Sequence, residues 1–252
     1  MNLNLSKFEY LLRLGDNALI LGQRLGEWCG HGPILEQDIA LTNIALDFIG
    51  QARHWLTYAG EIEGQERSED DLAYQRDAWD FRNVLLVEQP NKDLAYTIIR
   101  QFLFDAFNYA LHQELCESND QQIAAIARKS LKEISYHLRY SSEWTIRLGD
   151  GTDLSRQKMQ TALNDLWMFS GELIQPDDLD WKMTKAGIGA DLEKIAPLYQ
   201  KRLHSIFKQA TLHIPENDWM QSGGKTGRHT EHLGYILADL QFVVRAYPGA
   251  EW

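Results

Sequence analysis

Residues 94–111 read LAYTIIRQFLFDAFNYAL, and apolar side chains fall on nearly every side of the helix that this sequence would form. A helix that faces water needs a polar side, so a helix that is apolar all round belongs inside a bundle or at a subunit interface. The helical pattern extends over about residues 93–117. This stretch therefore predicts the centre of an all-α domain.

Three further long segments with helical periodicity occur outside this stretch. They cover about residues 6–29, 34–58 and 121–147, and short breaks rich in Gly, Pro, Asn and Asp separate them. Each of the four helices would span about 35 Å at 1.5 Å per residue. A short break, a longer crossover and a second short break join them in an order that suits a four-helix bundle.

Smaller elements complete the predicted fold. Ser6 and Glu9 form a capping-box pattern that predicts the start of the first helix. Polar residues at 61–69 predict a loop. Shorter peripheral and C-terminal helices are predicted at about 70–83, 155–169, 192–210 and 230–245. We predict a single ferritin-like domain over residues 1–252.

Composition excludes several classes of function. The formal net charge of −11 disfavours nucleic acid, and the basic stretch of Lys201 and Arg202 with Lys208 nearby is sparse. Cys29 and Cys116 form no CxxC pair, which argues against a disulfide framework and a thiolate zinc site. Neither a secretory signal nor a membrane-spanning run is present, so we expect a cytoplasmic protein.

The histidine spacing argues against a di-iron site. Long four-helix bundles that hold two irons use Glu-x-x-His pairs, which place both ligands on one side of a helix. None of the eight histidines has Glu or Asp three residues before it. The defining pattern of such a site is absent.

Two carboxylates nevertheless lie in apolar helical segments. Asp47 and Asp105 would be costly to bury without a partner. A local partner such as Arg53, Gln101 or Asn108 is a simpler explanation than a metal ion. We favour a local partner.

Three other patterns have ordinary structural interpretations. Glu133 and His137, four residues apart, predict a surface pair on a helix. The sequence Gly-Gly-Lys-Thr-Gly at 223–227 lacks the earlier glycine and the strand of a phosphate loop. His229-Thr230-Glu231-His232 predicts a helix start with Thr230 as its cap.

Several longer stretches resemble a known family. They are LRLGDN at 12–17, QRLGEWCGH at 23–31, GQAR at 50–53, LLVEQPN at 85–91 and HTEHLG at 229–234. Over nearly the whole chain, the sequence resembles the ferritin-like components of the phenylacetyl-CoA ring 1,2-epoxidases of aerobic phenylacetate degradation. The likeness is greatest to the structural C-type components, which lack the di-iron site of the homologous A-type components.

The resemblance also identifies six positions that correspond to metal ligands in the catalytic A-type components. The A-type pattern Asp-Glu-x-Gly-His falls on residues 47–51, and Lys-Glu-Glu-x-x-His falls on residues 132–137. The six positions are Ala18, Phe48, Gln51, Asp105, Ile134 and His137. The resemblance therefore implies a degenerate metal site without catalytic residues, and we hypothesise that Asp105 and His137 form a buried hydrogen-bonded pair.

Three functions follow as alternatives. The resemblance implies a non-catalytic structural subunit in a hetero-oligomer with the homologous di-iron A-type component and other epoxidase components, including an NADPH-dependent reductase. This chain would then bind no cofactor of its own. A second hypothesis is a catalytic oxygenase with an unusual site of Asp47, Asp105, Glu133 and His137. A third is a stand-alone helical binding module.

Overall fold

The computed structural model describes residues 3–217 and 219–250. These residues form helices and no β-strand, so the prediction of an all-α fold is confirmed. The α-helices in chain order are α1 (Leu3–Gly26), α2 (Leu35–Glu63), α3 (Glu69–Tyr74), α4 (Leu94–Leu115), α5 (Gln121–Gly149), α6 (Asp153–Leu166), α7 (Gly171–Ile174), α8 (Asp178–Lys185), α9 (Leu192–Gln209) and α10 (Glu231–Ala246). Single turns of 3-10 helix occur at Ala78–Asp80, Leu85–Glu88, Trp167–Phe169 and Gly224–Thr226.

Contacts between Cα atoms divide the chain into two compact units. Unit 1 comprises Met1–Pro90 and Gly223–Trp252, and unit 2 comprises Asn91–Ser222. The single domain over 1–252 stays a prediction. No helix within the described residues is both long enough and apolar enough to cross a membrane.

Unit 1 is built on the antiparallel pair α1 and α2. The backbone at Gly15 lies against Leu56, and the backbone at Gly22 lies against Phe48. A Cβ atom at Gly22 would lie 3.2 Å from the Cβ of Phe48 and 3.3 Å from the carbonyl oxygen of Ala45, so glycine lets the two helices approach closely here. The helix α10 packs against α1, α3 and the two 3-10 turns that precede residue 90.

Unit 2 is built on the antiparallel pair α4 and α5. Asp93 caps α4, because its side chain accepts hydrogen bonds from the first backbone N–H groups of that helix. The helices α6 and α9 also pack on α4, where Phe102 meets Phe207 edge to face with ring centroids 5.3 Å apart. The helix α4 is buried on nearly every side, as the apolar sequence of 94–111 predicts.

The helix ends differ from the predictions in three places. The helix α1 begins at Leu3, so the capping box at Ser6 and Glu9 is wrong, and Ser6 is a buried residue inside the helix. The helix α2 runs five residues past its predicted end and stops at Gly64, whose left-handed backbone suits glycine. The loop predicted at 61–69 is therefore shorter, since it lies between α2 and α3.

The prediction of one helix over residues 70–83 is also wrong, because this segment contains only the short α3 followed by a 3-10 turn. Tertiary hydrogen bonds from Arg76 and Arg82 to Asp16 hold this segment in a folded-back path instead. The short helices α7 and α8 were not predicted. By contrast, α10 begins directly after Thr230, as predicted.

Candidate functional site

Three of the six ligand-equivalent positions lie in unit 1. Ala18 is on α1, Phe48 and Gln51 are on α2, and all three side chains are buried. The side chains of Ala18 and Phe48 carry no donor atom for a metal ion, and Gln51 offers only a neutral amide. This part of the candidate site therefore lacks the carboxylate and imidazole ligands that iron needs.

The other three positions lie in unit 2. Asp105 is on α4, Ile134 and His137 are on α5, and all three are fully buried. Ile134 offers no donor atom, so only Asp105 and His137 retain groups that bind metals.

Hydrogen bonds account for the buried carboxylate of Asp105. The Nε2 of Gln101 donates to its Oδ1 at 2.7 Å, and the hydroxyl of Ser141 donates to its Oδ2 at 2.8 Å. The prediction that Gln101 is a local partner is therefore confirmed. Burial raises the pKa of Asp105 to about 6, while the charge of His137 and the two hydrogen bonds act in the opposite direction.

The relation between Asp105 and His137 is electrostatic, because the two groups lie close enough for the charge of His137 to affect the pKa of Asp105. The direct hydrogen bond between them stays a prediction. His137 is fully buried, so the prediction of a surface pair between Glu133 and His137 is wrong. Glu133 itself is half-buried. Buried residues recur every three or four positions along α5, and His137 is one of them. The four-residue spacing of Glu133 and His137 does not by itself show which side of the helix is buried.

These donors do not fit a di-iron centre. Within residues 3–217 and 219–250, no group of three or more His, Cys, Asp or Glu side chains is arranged to hold a metal ion. Such a centre needs several carboxylates together with histidines.

A buried polar cluster in unit 1 was missed by the sequence analysis. Glu88 is fully buried, and its carboxylate accepts hydrogen bonds from the backbone N–H of Thr230 at 2.7 Å and the Nδ2 of Asn83 at 3.3 Å. The Nδ1 of His229 lies 3.1 Å from the same carboxylate, and its Nε2 lies 3.0 Å from the carbonyl oxygen of Phe81. Both ring nitrogens of His229 therefore lie within hydrogen-bond distance of an oxygen atom.

The motif at 12–17 has a similar structural role. Asp16 is fully buried on α1, and the Nη1 of Arg76 donates to its Oδ2 at 3.0 Å, while the Nη2 of Arg76 donates to Oδ1. The backbone N–H of Arg82 donates to the same carboxylate at 2.8 Å. The Oδ1 of Asn17 accepts from the backbone N–H of Val84 at 2.8 Å. Two adjacent side chains thus attach the segment after α3 to α1.

The glycine-rich loop at 223–227 is a packing element. A Cβ atom at Gly224 would lie 2.2 Å from the carbonyl oxygen of Asn83, so only glycine allows this close approach. The side chain of Lys225 is buried, and its carbonyl oxygen accepts a hydrogen bond from Arg13 at 3.5 Å. The close contacts explain the glycines without a phosphate ligand.

Comparison with known proteins adds two findings. The family described as "Phenylacetic acid catabolic protein" matches residues 3–252. The chain is 51% identical over 243 residues to the C component of 1,2-phenylacetyl-CoA epoxidase from Escherichia coli (strain K12), and the match covers 96% of this chain and 98% of that protein.

Proposed function

Because the chain belongs to the phenylacetic acid catabolic protein family, we propose that it is the non-catalytic structural subunit of a multicomponent phenylacetyl-CoA 1,2-epoxidase. The observation that carries this proposal is the 51% identity, over nearly the full length of both chains, to the C component of that enzyme from Escherichia coli. The buried side chains of Phe48 and Ile134 support it, because they offer no ligand atoms where the resemblance places metal ligands.

In this proposal, the chain binds a homologous di-iron catalytic subunit in a cytoplasmic hetero-oligomer. The complex takes phenylacetyl-CoA, O2 and electrons from an NADPH-dependent reductase and forms the ring epoxide. This chain supplies no redox group. Its contribution is a rigid helical surface, stabilised by buried hydrogen-bonded side chains such as those of Asp16 and Glu88.

Reconstitution tests the proposal. The chain is purified alone and also co-expressed with the catalytic subunit. Both preparations are analysed for iron and, after addition of the other epoxidase components including the reductase, for phenylacetyl-CoA-dependent oxidation of NADPH. We expect the isolated chain to contain no stoichiometric iron and to be inactive, and we expect the assembled complex to contain iron and to be active. A catalytic subunit that is equally active without this chain would contradict the proposal.

The Asp105→Asn variant separates the structural role from the catalytic alternative. Asparagine keeps an acceptor for Gln101 and the size of the side chain, but it is a poor iron ligand. We expect the variant to assemble and to support full activity. Iron at about two atoms per isolated chain, lost together with activity in this variant, would instead support the oxygenase site of Asp47, Asp105, Glu133 and His137. A chain that stays monomeric beside the catalytic subunit would support the stand-alone module.

A further inference from the structure

The helix α5 carries positive charge in a chain whose formal net charge is −11. Five basic and two acidic side chains lie on this helix, which leaves a formal charge of +3. The basic residues are Arg128, Lys129, Lys132, Arg139 and Arg147, and all five are exposed. The acidic residues are Glu133 and Glu143, and the carboxylate of Glu143 lies 3.8 Å from the guanidinium group of Arg147, so basic residues outnumber acidic ones on this side without excluding them. Spacings of three, four, seven and eight residues bring most of them to one side of the helix. Three of them lie within residues 128–132, which read RKSLK.

Aromatic side chains share this side of α5. Tyr136, Tyr140 and Trp144 follow one another at four-residue spacing, with successive ring centroids 6.4 and 6.5 Å apart. Tyr140 is buried beneath this side and Trp144 is half-buried. Tyr136 is 42% exposed, although it is a large aromatic residue. The guanidinium carbon of Arg139 lies 5.8 Å from the ring centroid of Tyr136, and that of Arg147 lies 5.6 Å from the ring centroid of Trp144.

These residue types fit a protein partner. Tyr, Trp and Arg dominate the energetically important positions of protein–protein interfaces. A cation–π contact orients a guanidinium group through its flat face, which reduces the entropy that the side chain loses on binding. The side of α5 from residue 128 to residue 147 is about 30 Å long, which suits a protein surface better than a small ligand.

The charge identifies the chemistry of that partner. A nucleic acid presents phosphates along its whole length, and these would meet the repulsion of a chain with a net charge of −11. A folded protein presents carboxylates only where the two surfaces meet, so it gains the attraction of α5 with less of that repulsion.

We propose that the side of α5 formed by Lys132, Tyr136, Arg139, Trp144 and Arg147 is a docking face for the acidic surface of another protein component of the epoxidase complex. We name it the α5 docking face. This inference rests on the proposed function, because that function supplies the partner. Opposite charge across the interface would accelerate association and set the orientation of the two proteins.

Charge reversal tests the docking face. The variant carries Arg139→Glu and Arg147→Glu, and the control carries Lys201→Glu and Lys208→Glu. Both pairs are exposed residues on long helices of unit 2, and each pair has one member in the last turn of its helix. Binding to the other purified epoxidase components is measured by surface plasmon resonance at about 50 mM and about 300 mM salt.

We expect the α5 variant to raise the Kd at least about tenfold, mainly at low salt, and the control to change it by less than about twofold. Tyr136→Ala should weaken binding without changing its salt dependence. Circular dichroism and thermal unfolding verify that each variant folds. If the double charge reversal unfolds the chain, Arg139→Gln with Arg147→Gln replaces it, with Lys201→Gln and Lys208→Gln as the control.

The outcomes separate this inference from the proposed function. If wild type and the α5 variant bind the other components equally, α5 is a solvated helix face, and the inference is wrong while the proposed function stands. If wild type binds none of the components, the proposed function is wrong and the docking face loses its basis. If the variant loses affinity for coenzyme A alone and keeps its protein partners, the basic residues form an anion site and the inference is again wrong.

Discussion

The side chains of Glu88 and His229 form a buried polar contact that attaches the start of α10 to the segment 81–88. The carboxylate lies 3.1 Å from the Nδ1 of the imidazole, while the Nε2 lies 3.0 Å from the carbonyl oxygen of Phe81. The same carboxylate accepts the backbone N–H of Thr230 at 2.7 Å. Residues separated by 141 positions in sequence thereby fix the C-terminal helix of unit 1.

We expect His229→Gln to destabilise unit 1 by about 1–3 kcal/mol, because it removes the hydrogen-bond partner of the buried Glu88 carboxyl group and of the carbonyl oxygen of Phe81. Glu88→Gln should cost a similar amount, and the double variant should cost less than the sum of the two. Unfolding in urea and hydrogen exchange of the α10 amides measure these effects. The matched control is His232→Gln, a half-buried histidine in the first turn of α10, which should change the stability by less than about 0.5 kcal/mol. Equal losses in the two histidine variants would contradict the assignment.

Asp105 should make stability depend on pH. Burial raises its pKa from 3.8 to about 6, so the folded protein binds this proton more tightly than the unfolded chain. The contribution of Asp105 to stability is thus complete below about pH 4 and is lost as the pH rises through about 6. Relative to wild type, Asp105→Asn should gain up to about 3 kcal/mol in the free energy of unfolding between about pH 4 and pH 7. Urea unfolding of both proteins across this range tests the prediction, which fails if the difference between them does not change with pH.

His112 should make stability depend on pH in the opposite direction from Asp105. Burial lowers its pKa from 6.5 to about 4, because the uncharged ring lies in the core and its Nδ1–H donates to the carbonyl oxygen of Asn108 at 2.9 Å. Its contribution to stability is present above about pH 6.5 and is lost as the pH falls through about 4. Relative to wild type, His112→Gln should therefore gain up to about 3 kcal/mol as the pH falls over this range. The two buried groups oppose each other in wild type, so urea titrations of the single variants are needed to separate them. A His112→Gln variant that loses stability in acid as steeply as wild type would refute the assignment.

The sequence predicted those parts of the fold that residue type alone determines. The continuous apolar pattern of 94–111 identified a buried helix, which is α4. The end of the helix predicted at 70–83 was wrong because the side chain of Arg76 and the backbone N–H of Arg82 donate hydrogen bonds to Asp16, sixty or more residues earlier in the sequence. Short helices such as α7 and α8 gain little from local propensity and depend on tertiary packing, so the pattern of one segment does not reveal them.

The same distinction applies to the site. The partner of Asp105 was predictable because Gln101 lies four residues away on the same helix. The partner of Glu88 was not predictable, because His229 is distant in sequence and no periodic pattern links the two residues. The basic side of α5 was predictable in part. Its basic residues can be read from the sequence, but their grouping on one side follows only from the helix that contains them.

Two glycines on α2 provide a test of helix packing with the same substitution and opposite results. A Cβ atom at Gly60 would lie 2.3 Å from the carbonyl oxygen of Arg67, whereas a Cβ atom at Gly50 would have no neighbour within 4 Å. Gly50→Ala should stabilise the protein by about 0.5–1 kcal/mol, because alanine loses less conformational entropy than glycine in a helix. Gly60→Ala should destabilise it by about 1–3 kcal/mol, because the methyl group forces the turn between α2 and α3 away from the helix. Thermal and urea unfolding of the two variants give the comparison. Shifts of the same sign would show that the close contact at Gly60 is relieved without cost.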